Sequence, residues 1–212
     1  MRKALLGFVF STLAVSVSSA ENRTASRTVD GCDFRPGTHC TGKNFRGVDL
    51  TGIDLANAQL SRSDLSGSRL VEAKFDGANL TMVDFLAADL SRATLREADL
   101  RNADMSGVVG RDASFRNATL HDVRLNDADL ANADMRSADF MNAELRGANL
   151  RDADLQRTRF TGADLSNADL SGADLTGADL STAILVNADL SGAKLDLANF
   201  SDAEMTGCTG CP

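Results

Sequence analysis

Thr161-Gly162-Ala163-Asp164-Leu165-Ser166-Asn167-Ala168-Asp169-Leu170-Ser171-Gly172-Ala173-Asp174-Leu175 states one five-residue phrase three times over. Outward from it, every fifth residue from Phe45 to Met205 is Leu, Phe or Met, with Gly110 the only break. Two positions before each stands a small residue, usually Ala, and immediately before each usually Asp or Asn. No insertion or deletion shifts that register. Internal self-similarity of this kind sets the architecture before any side-chain chemistry is weighed.

A period of five fits neither the helical period near 3.6 nor plain strand alternation. Within Ala163-Asp164-Leu165, alternation puts Ala163 and Leu165 on one side and Asp164 on the other. The two positions that follow are mostly Ser, Thr, Arg, Gly or Asn, several of which favour turns. A short inward-facing piece followed by a corner, repeated, coils into a closed tube. Its sides are so short that the tube is narrow, which explains Ala rather than Val at the first inward position.

Those residues resemble the pentapeptide-repeat family, whose consensus is Ala-(Asp/Asn)-Leu-x-x, over residues 43–205. The resemblance implies an all-β fold, a right-handed quadrilateral β-helix with four repeats to a coil and about eight coils, roughly 40 Å long at the usual strand spacing. Residues at twenty-residue spacing then stack, as in a core ladder of Leu130, Leu150, Leu170 and Leu190. Gly110 interrupts that column beneath Leu130. The sequence suggests a local packing defect with Val109 turned partly inward, or else a bulge that presents a loop.

The ends differ from the repeats. Arg2-Lys3, an apolar run from Ala4 to Val17 and Ser18-Ser19-Ala20 mark residues 1–20 as a secretory signal peptide. The apolar run is too short to span a membrane. Residues 21–30 are polar and without period, which predicts a disordered linker. Residues 31–42 form an expected N-terminal cap, in which Gly31-Cys32-Asp33-Phe34 reads as a repeat displaced by one residue. Residues 206–212 form an expected C-terminal cap.

Cys32, Cys40, Cys208 and Cys211 sit two at each end, with none between, as in chains stapled in an oxidising compartment. Four cysteines allow three pairings. Two of these join the ends of a tube roughly 40 Å long, whereas a disulfide holds its Cα atoms within about 7 Å. This leaves Cys32–Cys40 and Cys208–Cys211. Cys208-Thr209-Gly210-Cys211 also matches a redox motif, but such thiols are normally activated at a helix N-terminus, and no helix is predicted there.

The formal charge is −8, and removing Arg2 and Lys3 takes it to −10. From Thr161 to Glu204 eight acids face only Lys194, whereas between Ser91 and Phe160 eleven arginines nearly balance twelve acids. Four-sided folding stacks Asp134, Asp154 and Asp174, and likewise Asp64, Asp84 and Asp104. Arg96, Arg116 and Arg136 form a ladder beside the first column.

No catalytic, cofactor-binding or metal residues are expected. His39 and His121 stand apart, no Ser-His-acid set assembles, and neither a phosphate loop nor a Cys/His metal spacing occurs. Leu86, Ile184, Val186, Leu197, Met82 and Met141 occupy outward or turn slots. Ile184 and Val186 flank inward Leu185, with Asp164 below and Glu204 above, and form a candidate interaction patch.

Three functional readings follow. The leading one is a non-enzymatic exported rod acting as a structural or protein-interaction module, without cofactor. It would be monomeric or homodimeric and reside in the periplasm, the exterior or a thylakoid-lumen-like compartment. Its partner is an unknown protein or cell-envelope component, with no nucleic acid bound and no membrane insertion after signal cleavage. The second comes from the resemblance: some family members mimic DNA with acidic faces, bind DNA gyrase and confer quinolone resistance, but they work in the cytoplasm. The third is a thiol redox protein using Cys208 and Cys211.

Overall fold

The computed structural model describes residues 27–212. The signal peptide expected at residues 1–20 and the segment 21–26 lie outside the described residues. From His39 onward each outward residue pairs in parallel with the one twenty positions ahead, in four unbroken columns that end with Asp189 against Thr209. This pairing extends past the expected bounds of 43 and 205 at both ends. On one side of the tube, Leu165 N donates to Ile184 O at 2.7 Å and Ile184 N donates to Ala163 O at 2.9 Å. The pattern is that of a parallel ladder wrapped into a four-sided solenoid.

Between sides the chain turns by one repeated device. Ala168 N donates to Leu165 O at 3.0 Å, and Asn167 between them has φ 59. A single left-handed residue before the closing donor is the signature of a type II turn. Gly fills that position in many corners, but Arg62, Glu72, Arg92, Glu97, Thr182 and Leu197 also hold it at φ near 60. The outward Asp supports the corner: Asp164 Oδ1 accepts from Ser166 N at 3.0 Å and from Ser166 Oγ at 2.6 Å. Asp169 with Ser171 and Asp174 with Thr176 repeat it.

The interior is filled by the Leu, Phe and Met series with the Ala series beside it. Leu130, Leu150, Leu170 and Leu190 are each at most 1% exposed, and their outward neighbours Asp129, Asn149, Asp169 and Asp189 pair in sequence. Burying each such Leu stabilises the fold by roughly 1.5–3 kcal/mol before chain entropy is subtracted. Where a hydroxyl replaces Ala at the small slot it finds a carbonyl: Ser63 Oγ donates to Cys40 O at 2.9 Å and Thr158 Oγ1 to Met135 O at 3.2 Å. Aromatic contacts join facing sides (Phe75 and Phe85, 6.1 Å) and stacked coils (Phe140 and Phe160, 5.1 Å).

At position 110 the expected inward turn of Val109 is not what occurs. Val109 points outward and is 39% exposed, while Val108 fills the small slot and is fully buried. A Cβ on Gly110 would lie 2.9 Å from Leu130 Cδ2 and 3.7 Å from Val108 Cγ1. The missing side chain is thus replaced from two directions, by a Leu leaning across and a Val in place of Ala, and the backbone pairing continues unbroken.

The N-terminal cap also departs from expectation. Arg27–Val29, placed in a disordered linker by sequence, forms strand β1, and Cys32–Phe34 forms β2, antiparallel to it. Cys32-Asp33-Phe34 is therefore not a displaced repeat. Asp30 (φ 47) and Gly31 (φ 71) make the two-residue connection, the doubly left-handed turn whose twist suits a hairpin. Phe34 meets Phe45 edge-on at 4.8 Å and so closes the first coil. Cys32–Cys40 and Cys208–Cys211 both form disulfides, with Cα separations of 5.7 and 5.9 Å.

Two outcomes check this architecture. Leu150→Asp places a carboxylate where no polar partner exists, and the protein is expected to lose its cooperative folded state in circular dichroism; an equally stable variant would reverse the inward assignment. Thr182→Gly relieves a β-branched residue of a left-handed conformation costing about 1–2 kcal/mol, offset by about 0.5–1 kcal/mol of glycine entropy. A higher thermal midpoint is expected, and a lower one would show the corner is not strained.

Candidate interaction surface

Twenty-residue coils set a simple rule for charges on the four sides. The first corner residue of one coil lies under the outward residue eighteen positions ahead. Arg111 reaches Asp129 at 2.5 Å, Arg146 reaches Asp164 at 2.6 Å and Arg151 reaches Asp169 at 3.2 Å. Within two separate columns, Arg124 pairs with Asp104 at 2.6 Å and Lys194 with Asp174 at 3.1 Å.

The expected acid column Asp134, Asp154 and Asp174 exists but is interleaved with donors. Arg136 lies 2.7 Å from Asp134 and 3.2 Å from Asp154, and Gln156 donates to Asp174 at 3.2 Å. The Arg96, Arg116 and Arg136 ladder is relieved in the same way. Arg116 approaches Asp134 at 3.9 Å, and Arg96 Nε donates to Ser114 Oγ at 3.3 Å. In the second column, Asp84 accepts from Leu86 N at 2.8 Å and Asp64 from Ser66. Exposed pairs of this kind add about 0–1 kcal/mol each, so the lattice fixes side-chain positions more than it adds stability.

His39 is exposed in the first coil, far in sequence and column order from His121, whose Nε2 lies 2.7 Å from Asp139 Oδ2. Arg159 Nη1 approaches that same oxygen at 3.3 Å, so His121 and Arg159 both lie against Asp139. Among the described residues no group of three His, Cys, Asp or Glu side chains is arranged to hold a metal ion. A shallow notch of about 290 Å³ lies along one corner, lined by Ala56, Asn57, Asp76, Gly77, Arg96 and Glu97.

Ile184 pairs with Asp164 on one side and Glu204 on the other, so all three share one face as the sequence indicated. Ile184, Val186 and Met141 are only half exposed. Among the described residues the exposed large apolar side chains are Met82, Leu86, Val109 and Leu197, the last at 89%. Sequence reasoning missed Val109 because it assigned Val109 to filling the space at Gly110.

Several outward acids, Asp164, Asp169 and Asp174 among them, carry depressed pKa values. The Thr176 hydroxyl and N–H, with Lys194, hold Asp174 down to about 2 against the opposing effect of burial. For Asp164 and Asp169 burial favours the neutral acid, but the Ser hydroxyl, its N–H and an arginine outweigh it. A carboxyl whose folded pKa lies below its unfolded value contributes stability that is present above about pH 4 and is lost as pH falls through the folded value. The urea midpoint is therefore expected to decline from about pH 4 toward pH 2, and Asp174→Asn should flatten part of that decline. A midpoint constant across this window would mean the corner hydrogen bonds do not discriminate ionised from neutral Asp.

The family model for pentapeptide repeats matches in eight copies over residues 40–81, 143–181 and 173–209, and that for a pentapeptide repeat region matches residues 78–155. HetL, a pentapeptide repeat protein involved in heterocyst differentiation regulation from the cyanobacterium Nostoc sp. strain PCC 7120, is 35% identical. Its alignment covers 82% of this chain and 87% of HetL, with a TM-score of 0.59. QnrB1, a plasmid-mediated fluoroquinolone resistance protein, is 21% identical, with 78% and 88% covered and a TM-score of 0.45. A pentapeptide repeat protein from the Arabidopsis thaliana thylakoid lumen is 35% identical, with 53% and 68% covered and a TM-score of 0.30. Comparison with curated protein sequences gives no match. By the two family-model matches, the likeness to HetL and the twenty-residue pairing on which its fold is built, the chain belongs to the pentapeptide-repeat family.

Proposed function

We propose that the protein is an exported, non-enzymatic rod that works as a protein-interaction module outside the cytoplasm. The observation that carries this reading is the pair of closed disulfides, one at each end of a solenoid whose faces offer fixed charge and shape. Disulfides of this kind persist in oxidising compartments, in line with the signal-peptide pattern of residues 1–20. The right-handed sense and the count of about eight coils, roughly 40 Å of rod, belong to the same reading.

The partner is a protein or cell-envelope component, and the face carrying Asp164, Ile184, Val186 and Glu204 is one place for it to bind. Chemical cross-linking of the exported protein, followed by capture, is expected to join a discrete partner to the rod. Ile184→Ser with Val186→Ser should keep the thermal unfolding transition and reduce capture about fivefold, as loss of an interface anchor does. Free thiols in a chain retained in the cytoplasm would overturn export. Potent inhibition of gyrase supercoiling by the purified protein would instead favour the acidic DNA-mimic reading.

A further inference from the structure

We propose that Arg96, Ser114 and Arg116 form an oxyanion-binding site on the wall of the solenoid, one that takes a carboxylate or phosphate group. Elsewhere on the wall an outward Asp serves two donors at once. Asp164 accepts from Ser166 N at 3.0 Å and from Arg146 Nε at 2.6 Å. Asp169 accepts from Ser171 N at 3.0 Å and from Arg151 Nη1 at 3.2 Å. A corner arginine thus reaches the acid eighteen residues ahead, and that same acid holds the N–H of the corner above. Every other arginine at the first corner position has an acid either two residues before it or eighteen ahead, whereas Arg96 has Thr94 and Ser114.

At Ser114 both donors are present and the carboxylate is not. Arg96 Nε donates to the Ser114 hydroxyl at 3.3 Å, a single neutral contact, and Asp76 accepts the Arg96 backbone N–H at 2.9 Å. The Arg96 guanidinium takes part in no ion pair among the described residues. A serine side chain ends where the carboxyl carbon of Asp would stand, so it does not reach the Arg116 N–H, which has no acceptor among the described residues. Ser114 itself is 8% exposed, which holds its hydroxyl in place at the base of the site. One coil below in the same column, Thr94 Oγ1 is shielded from solvent and has no hydrogen-bond partner either.

An oxyanion fits these donors because it restores the missing rung of the column. One oxygen takes the Arg116 N–H and another takes the Arg96 guanidinium, whose planar fork suits carboxylate and phosphate alike. Asp134 stands next in the column, and its like charge is met as it is one coil higher. There Arg136 lies between Asp134 and Asp154, at 2.7 and 3.2 Å. Arg116, 3.9 Å from Asp134, holds the corresponding place between Asp134 and the bound group. Lys74, below Thr94 in the column, adds to the positive potential that favours an anion. Free phosphate and an acidic side chain of a partner protein share this chemistry. The second source would supply a contact for the interaction-module reading and rests on it; the first is independent of it.

The test follows the full chain by nitrogen–proton NMR while inorganic phosphate or end-blocked glutamate is added, with chloride at matched ionic strength as the control. The Arg116 N–H and the Arg96 Nε–H are expected to shift and saturate together, while the Arg151 side chain, already paired with Asp169, stays still. Arg96→Gln should weaken the saturable response about fivefold, as loss of one exposed ion pair does. Ser114→Asp puts the carboxylate back on the chain; it should abolish the response and move the Arg116 N–H toward its bound position before any anion is added. Tighter binding of phosphate assigns the site to a free anion, and tighter binding of the glutamate derivative assigns it to a partner's acidic side chain. A shift that chloride reproduces, or one that both variants leave unchanged, would overturn the proposal. So would a response at Arg151 equal to that at Arg96, since it would mark general screening. Any of those three results would remove this site and leave the interaction-module reading, which cross-linking tests, standing.

Discussion

Within the body of the rod each large inward residue donates its N–H to a carbonyl nineteen positions ahead, and each outward residue donates to one twenty-one positions behind, as with Leu165 to Ile184 O and Ile184 to Ala163 O. That pair of bonds ties coil length to twenty residues. One added residue would push a whole side out of register and turn its apolar set toward water. The uninterrupted spacing from Phe45 to Met205 is the sequence consequence of this bond pattern. It also explains why Gly110 disturbs so little: the backbone pairing of Asp89, Val109 and Asp129 carries on regardless, and only side-chain volume has to be redistributed.

The same register makes the protein acidic. A corner every five residues leaves the N–H of the residue after the large inward one without a ladder partner, and the Asp two positions earlier accepts it. Asp164 with Ser166, Asp89 with Ser91 and Asp104 with Ser106 all do so. Asn serves as well, as at Asn149 with Arg151, but Asp adds a second use because its remaining oxygen is free to meet an arginine one coil away. Much of the net charge of −8 is therefore a product of corner chemistry. An acid excess by itself then says little about mimicry of a polyanion. Asp196, Asp202 and Glu204 stand outside that lattice, with no ion pair among the described residues.

Much of this could be read directly. The period of five identified the inward set residue by residue, from Phe45 through the Leu130, Leu150, Leu170 and Leu190 column, because burial at so regular a spacing admits one arrangement. The grouping of cysteines by end implied local pairing. Other features depend on signals that the repeat obscures. Asp30-Gly31 is a two-residue hairpin signal, but its flanking strands are three residues each, too short to show alternation. Left-handed corners at Arg62, Glu97 or Leu197 are imposed by the neighbouring coils against local preference, so composition does not reveal them. The exposure of Val109 depends on Leu130 and Val108 filling the space beside Gly110, a three-residue compensation that no single position discloses.

A solenoid is stabilised by nearest-neighbour contacts, so its interior coils protect one another while each terminal coil has a neighbour on one side only. Here the ends are built differently. One is covered by an antiparallel hairpin and an aromatic contact between Phe34 and Phe45; the other is held by a four-residue disulfide loop that covers a single side. A coil with a neighbour on one face only opens at lower free energy than those within the rod. Leu195, Phe200 and Met205 therefore combine partial exposure with unmatched backbone groups at the least protected place in the fold. In a chain whose other twenty-residue units match one another so closely, that asymmetry gives the rod a direction.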